Sequence, residues 1–256
     1  MKISVITVAF NAAHTIGDTL ASIAGQTHTD IEHIVVDGAS TDGTLDVIDR
    51  YRDKLAKVVS DPDNGIYDAM NKGIALAGGD VIGFLNADDF YASKYVLSAV
   101  AEALADPDVD ACYGDLCYVR QSDTSAVVRY WKSADFRPGL FSGGWCPPHP
   151  TFFASREIYE QFGGFDLSYK IAADFELMLR FLEVHRVRIK YIPKVLVKMR
   201  MGGTTNRSLS NIVKQNNEIL EALKAHGLRS SMAIFFGKKL VSRGKQFFMR
   251  LGQRSE

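Results

Sequence analysis

Cysteine is scarce in this chain: Cys112, Cys117 and Cys146 are the three among 256 residues. Their spacing fits neither a zinc site nor a disulfide framework, so free thiols in a reducing, cytoplasmic compartment are expected. Net charge is missing too. The 30 Lys and Arg balance 30 Asp and Glu, which argues against a dedicated nucleic-acid binder. No window reaches the roughly 20 apolar residues of a membrane-spanning helix. The apolar run 3–10 is stopped by Asn11 before it attains signal-peptide length. Neither G-x-G-x-x-G nor G-x-x-x-x-G-K occurs, so dehydrogenase and P-loop chemistry lack their signatures. Internal repeats and low-complexity segments are absent as well. What remains is ordinary for a soluble globular protein, with 46% hydrophobic and 23% charged residues. The length suits one large α/β domain or two small ones.

The first hundred residues alternate two patterns. Continuous apolar runs at 3–10, 31–36, 57–60 and 81–85 read as strands. Helical spacing appears at 14–27, 43–52, 66–77 and 93–105, with Ser93 as the expected cap of the last and Asp42 and Thr44 as caps of the second. Apolar strands separated by helices indicate a parallel sheet covered on both faces. Ligands of such sheets gather at the carboxyl ends of the strands. Asn11, Asp37, Asp61 and Asp88 all fall there. Beyond residue 108 the pattern changes to longer alternating strands, 109–119 and 126–131, then a Gly- and Pro-rich loop, 139–150. Helices are expected at 155–162, 171–184 and 209–225, with a β-like stretch at 187–199. The change near 108 reads as a division of labour within one domain.

Three clusters carry chemistry. Asn86-Ala87-Asp88-Asp89 places two carboxylates at the exit of a buried strand, a costly arrangement unless a cation neutralises them. A divalent metal takes oxygen ligands and leaves positions for phosphate oxygens, although Asn and Asp also build ordinary turns. Asp37 leads Asp37-Gly38-Ala39-Ser40-Thr41-Asp42-Gly43-Thr44, where a carboxylate can accept from ribose hydroxyls or a base N–H. Asp68, Asn71 and Lys72 share a helix neighbourhood by their spacing. Lys72 is a candidate partner for phosphate, or simply part of a solvated face.

Thr7-Val8-Ala9-Phe10-Asn11, the Asp37 cluster, Asp68-Ala69-Met70-Asn71-Lys72-Gly73 and Leu85-Asn86-Ala87-Asp88-Asp89, in this order and spacing, resemble glycosyltransferase family 2. The resemblance is specific over residues 1–92 and looser to about residue 205. It implies a GT-A fold: a Rossmann-like, mostly parallel sheet flanked by helices. It also implies a nucleotide-diphosphate-sugar donor, with a UDP-sugar expected first, and Mn2+ or Mg2+. On this likeness Thr7, Ala9, Asn11, Asp37, Asp61, Lys72 and Asp88 hold the donor. Asp89, then Asp88, bind the metal as the family's DXD element. Residues 1–108 become the nucleotide-sugar half and 109–226 the acceptor half, followed by a tail, 227–256.

On the acceptor side, Gly163-Gly164-Phe165-Asp166 resembles the family's GGFD segment. Ala173-Asp174-Phe175-Glu176-Leu177-Met178-Leu179-Arg180 resembles its EDxxLxxR helix. The likeness makes Asp174 the general base. Helical spacing agrees: Phe175, Met178, Leu179 and Leu182 form a stripe. Glu176 falls opposite, as an exposed ion pair with Arg180, while Asp174 borders the stripe at the helix start, where the dipole favours a carboxylate. His149, flanked by Pro148 and Pro150 and so expected to be extended, and Asp166 are further acceptor candidates. Two departures stand out. Ala173 occupies the place of the family's usual Glu, and no His accompanies Met201-Gly202-Gly203-Thr204-Thr205. The Gln-x-x-Arg-Trp motif of processive family members is also missing, so one sugar per encounter is expected.

Two other classes compete. A nucleotidyltransferase would need a glycine-rich, basic loop after the first strand, and Thr7 to Asn11 offers neither Gly, Lys nor Arg. A catalytically silent nucleotide-sugar-binding protein would have no need of Asp37, Asp88, Asp89 and Asp174 together. Finally, residues 229–254 carry seven Lys and Arg and no acid. Ile234, Val241 and Phe248 recur at seven-residue steps there, which reads as a basic amphipathic helix seeking a membrane surface. The expected acceptor is accordingly a glycan, lipid-linked or of the cell envelope, at the inner face of the membrane.

Overall fold

A computed structural model describes residues 1–202 and 209–228. The basic tail expected at 229–254 lies outside the described residues.

The first four strands are parallel to one another. Strands β1 (Ile3–Ala9), β2 (Ile31–Asp37), β3 (Lys57–Ser60) and β4 (Val81–Phe84) pair in the order β3-β2-β1-β4. Helices α1 (Ile16–Ala24), α2 (Thr44–Asp49) and α3 (Ile66–Leu76) link them. Every residue of β1 is buried, because both faces of the sheet are covered. Ile6 and Val8 pack toward α3, whereas Ile3 and Val5 pack toward α4 (Val96–Leu104). The approach of α3 requires Gly73, since a Cβ there would lie 2.4 Å from Ile6 Cγ2. Thr7 is turned into this sheet and pairs with His33 Nε2 at 3.0 Å. Burial drives that imidazole down to about 3.

The second half is mixed. It contains β5 (Asp89–Tyr91), β6 (Ala111–Arg120), β7 (Asp123–Trp131), β8 (Phe153–Ser155) and β9 (Ile189–Arg200), with α5 (Arg156–Phe162), α6 (Ala173–Leu179) and α7 (Leu209–Ala225). The sheet continues as β4-β8-β6-β9-β5, with β7 on β6. Strands β4 and β8 pair antiparallel, β6 and β9 parallel, and β9 and β5 antiparallel. Strands β5 and β8 have three residues each, too short to show a periodicity. Helix α6 continues as a π-helical turn, Arg180–Val184.

Local capping follows expectation only in part. Helix α4 begins at Val96, and Ser93 Oγ only accepts from Tyr95 N at 3.3 Å. The N-cap position of α2 is Gly43, but Asp42 Oδ1 accepts from Thr44 N, the first helical amide, at 3.0 Å. Asp42 Oδ2 and Thr44 Oγ1 also accept from Ala13 N (3.1 Å) and Ala12 N (2.8 Å), fastening the β1–α1 loop to the β2–α2 loop. Tertiary contact has added tasks to side chains that local signals assigned to helix ends.

Candidate active site

The carboxyl ends of β1, β2 and β3 meet in a sewn pair of loops. Asn11, with φ 49°, donates its N–H to Ser40 Oγ (2.8 Å) and accepts Thr41 N–H on its side chain (3.0 Å). Asp37 is wholly buried and is oriented by Ser40 N (2.9 Å), Ser40 Oγ (2.5 Å) and Ser60 Oγ (2.7 Å). Asp61, exposed, donates its N–H to Asp37 O at 3.0 Å. Phe10 stands 67% exposed at the end of buried β1. A Cβ on Gly38 would come within 3.3 Å of the Phe10 ring and 2.6 Å of Asp63 Oδ2, so these three residues frame one spot. Phe10 and Asp63 were not singled out by the sequence reading. The available signal was an aromatic residue closing an otherwise buried strand. Thr7 and Ala9 are buried in β1. Lys72 Nζ serves its own loop, 2.8 Å from Pro62 O and 3.8 Å from Asp68.

Beyond β4, Asn86, Ala87 and Asp88 make a turn and Asp89 opens β5. The two carboxylates differ sharply. Asp88 is half-buried, whereas Asp89 is wholly buried and neither of its oxygens has a well-formed hydrogen bond, with the Asn86 side chain and the Arg200 backbone nearby. Burial, then the neighbouring Asp88, push the Asp89 carboxyl well above the usual range, with Arg200 opposing. The turn's carbonyls are held from outside. Thr19 Oγ1 lies 2.6 Å from Asp89 O and 3.3 Å from Asn86 O, and Arg200 Nη1 lies 2.7 Å from Asp88 O. Neither Thr19 nor Arg200 carried a signal in sequence, since both are brought in by packing. Among the described residues no three His, Cys, Asp or Glu converge, so the protein offers this one carboxylate pair here.

The third side of the site comes from the second half. Asp174 sits half-buried in the first turn of α6. The Tyr67 hydroxyl lies 2.9 Å from Ile171 O and 3.3 Å from Asp174 Oδ1. Asn71 grips the Phe165 backbone with both amide atoms, at 2.9 and 2.8 Å. Helix α3 thus ties the first half of the chain to the second, a role its motif did not reveal. Glu218 of α7 accepts from the N–H groups of Ile171 (2.7 Å) and Ala172 (2.9 Å), just ahead of Asp174. His149 opens a 3-10 turn rather than an extended segment. It is buried, and neither ring nitrogen makes a hydrogen bond. Its ring packs on Phe84 (5.5 Å) and Phe165 (5.6 Å). Burial lowers its pKa, partly opposed by Asp174, so the imidazole is neutral. Asp166 is exposed and accepts Ser168 N at 2.8 Å, as a turn residue does.

One expectation is corrected. Glu176 is not an exposed partner of Arg180: it is 3% exposed and bonds Arg180 Nε (2.9 Å) and His226 Nε2 (2.8 Å). Leu177 and Phe181 are buried as well as the expected stripe. Helix α6 therefore packs against α7 as well as the sheet side, and its continuation meets Tyr159 of α5 through Phe181, which the periodicity of one face cannot register.

These three sides share one edge of the sheet. Phe84 closes β4 directly before the carboxylate turn and touches His149, whose imidazole feels Asp174. A depression of about 250 Å³ lined by Met1, Asp80, Arg156 and Glu157 lies at the other edge, where β1 and β4 begin.

Known proteins accord with this arrangement. The profile of glycosyl transferase family 2 matches residues 4–162. A PGL/p-HBAD biosynthesis glycosyltransferase of Mycobacterium bovis is 32% identical over 208 residues, covering 79% of this chain and 78% of the relative. Among solved structures, Staphylococcus aureus TarS 1–349 in complex with UDP superposes with a TM-score of 0.67 at 20% identity, over 100% of this chain and 73% of that one. The mannosyltransferase PcManGT of Pyrobaculum calidifontis, in complex with GDP-Man and Mn2+, gives 0.67 at 21% identity, over 100% and 76%. At such identities the structures speak for the fold alone, which is GT-A. The carboxylate-bearing strand edge, the family match over more than half the chain and the mycobacterial likeness lead to one assignment: this chain belongs to glycosyltransferase family 2 and is a glycosyltransferase.

Proposed function

We propose that the enzyme transfers one sugar from a nucleotide-diphosphate sugar to an acceptor hydroxyl, with inversion and with the help of Mn2+ or Mg2+. The observation that carries this is the shared strand edge: a carboxylate pair at the end of β4 and Asp174 at the start of α6, linked through Phe84 and His149. A UDP-sugar is the first donor to test, because TarS binds UDP and UDP-GlcNAc. PcManGT binds GDP-Man, so the nucleotide is part of the test.

The nucleoside end falls to the sewn loops. Asp37, preset by three hydrogen bonds, accepts from base or ribose, and the exposed Phe10 ring offers a stacking face. Asn11 and Asp61 border the same spot.

The turn at 86–89 suits a divalent cation by two tests. Its donors are carboxylate oxygens, which hard cations prefer, and the buried Asp89 carboxylate, with only Asn86 and Arg200 to offset its burial, keeps its pKa well raised, an expense that a nearby cation relieves. Asp88, the accessible member, and Asp89 behind it would hold the ion. When bound, the metal offsets charge on the leaving diphosphate.

Asp174 takes the proton of the acceptor hydroxyl as that oxygen forms the new bond at the anomeric carbon. The bond to the diphosphate oxygen breaks on the opposite face, which inverts the centre. Buried His149 packs on Phe84 and Phe165 and so supports the acceptor side from beneath rather than touching the sugar. A nucleotidyltransferase is disfavoured because residues 10–15 after β1 carry no glycine, lysine or arginine. A panel of nucleotide sugars, assayed for hydrolysis and transfer with Mn2+, Mg2+ or EDTA, tests the reading. Turnover of none of them would favour the catalytically silent binder.

The acceptor is taken to be a cell-envelope or lipid-linked glycan at the cytoplasmic face. No helix among the described residues is long and apolar enough to cross a membrane. The sequence of 229–254 would then dock on anionic lipid, each basic side chain adding about 1 kcal/mol. Deleting residues 229–256 should release the protein from anionic vesicles at low salt while donor hydrolysis persists. Full-length protein that stays in the supernatant would exclude docking.

A further inference from the structure

We propose that Arg200 is the positioning residue of the carboxylate turn, acting on the metal through the Asp88 backbone. The inference rests on the reading of residues 86–89 as the metal-binding turn. Arg200 ends β9 and is 5% exposed. One arm of its guanidinium donates to the carbonyl of Asp88 (2.7 Å). The other arm pairs with Asp18 of α1. Its plane lies 5.0 Å from the centre of the Phe90 ring. The side chain therefore touches the turn at the peptide between the two carboxylates, and its charge also acts on Asp89.

Its partner on the far side is Thr19, the residue after Asp18, whose hydroxyl holds the carbonyls of Asn86 and Asp89. Helix α1 and strand β9 thus grip three carbonyls of one turn, those of Asn86, Asp88 and Asp89, and the Asp18–Arg200 pair joins the two grips. Groups that orient metal ligands without touching the ion typically matter about 10- to 100-fold in affinity. A lysine keeps the charge of arginine but lacks the planar fork that spans a carbonyl and a carboxylate at once.

Charge and geometry make opposite forecasts. If Arg200 merely screened the carboxylates, removing its charge would tighten a divalent cation. If it positions Asp88, removing it loosens the cation.

The probes are Mn2+ and UDP, and the readout is free Mn2+ by electron paramagnetic resonance with saturating UDP, on the full chain. Arg200→Gln and Arg200→Lys are each expected to weaken Mn2+ binding about tenfold or more. Asp18→Asn should weaken it less, and the Asp18→Asn/Arg200→Gln double variant no more than Arg200→Gln alone. Affinity within twofold of wild type, or tighter, in the Arg200 variants overturns the proposal. Should those variants fail to fold, Asp18→Asn decides, because Asp18 is 65% exposed and its replacement leaves the core intact. Unchanged Mn2+ affinity there is equally fatal. Wild-type protein that adds nothing to the Mn2+ binding of UDP alone would refute instead the metal reading on which this rests.

Discussion

Asp174→Asn is expected to lower transfer by about 100- to 10,000-fold, the usual contribution of a positioned general base, while nucleotide-sugar affinity stays near wild type. Asparagine preserves the shape and can still meet the Tyr67 hydroxyl and Phe175 N–H, so the fold should hold. Glu176→Gln makes the contrast. Glu176 is enclosed by Arg180 and His226, and Arg180 in turn holds the carbonyls of Phe162 and Gly164. Weakening a buried charged hydrogen bond costs about 1–3 kcal/mol, so this variant should melt earlier yet turn over. Titrating both variants for kcat, donor Kd and Tm separates the roles. Near-normal transfer by Asp174→Asn beside a folded but dead Glu176→Gln would move the base to Glu176.

Asp88→Asn should abolish metal-dependent transfer. A bound metal contributes several kcal/mol to stabilising charge in the transition state, and each 1.4 kcal/mol is tenfold, so a loss of about 1,000-fold or more is expected. The sequence alone ranks Asp89 first as ligand. We propose the reverse order, since Asp88 is half-buried and Asp89 has no exposed oxygen. Asp89→Asn should accordingly retain more metal response than Asp88→Asn, read as the Mn2+ concentration for half-maximal rate. The opposite order would restore Asp89 as the direct ligand. Nucleotide-sugar binding that EDTA leaves unchanged in the wild type would end the metal claim for both.

Much was legible without coordinates. Parallel β1 to β4, the helices between them and the carboxylates at strand ends follow from continuous apolar runs interrupted by Gly, Asn and Asp, a local signal. The motifs in order supplied the family and, through it, Asp174 as a candidate. Less legible were residues whose meaning depends on a distant neighbour. Asn71 looked like one member of a polar helix face, yet it clamps Phe165, 94 positions away. Asp42 looked like a cap and does meet the first amide of α2, but its second oxygen and the Thr44 hydroxyl also hold the β1–α1 loop, which no local pattern records.

By itself, then, the sequence determined the periodicities, the strand-end acids and the family likeness, because each is written in spacing along the chain. Only the tertiary structure decided which acids are accessible and which side chains support them. Thr7 was absorbed into a buried pair with His33, and Glu176 was enclosed rather than exposed. Arg200, 112 residues from Asp88, came to hold its carbonyl. The physical reason is common to all three: burial and hydrogen-bond partnership depend on what packs from other elements, and a one-dimensional pattern records only the element's own faces.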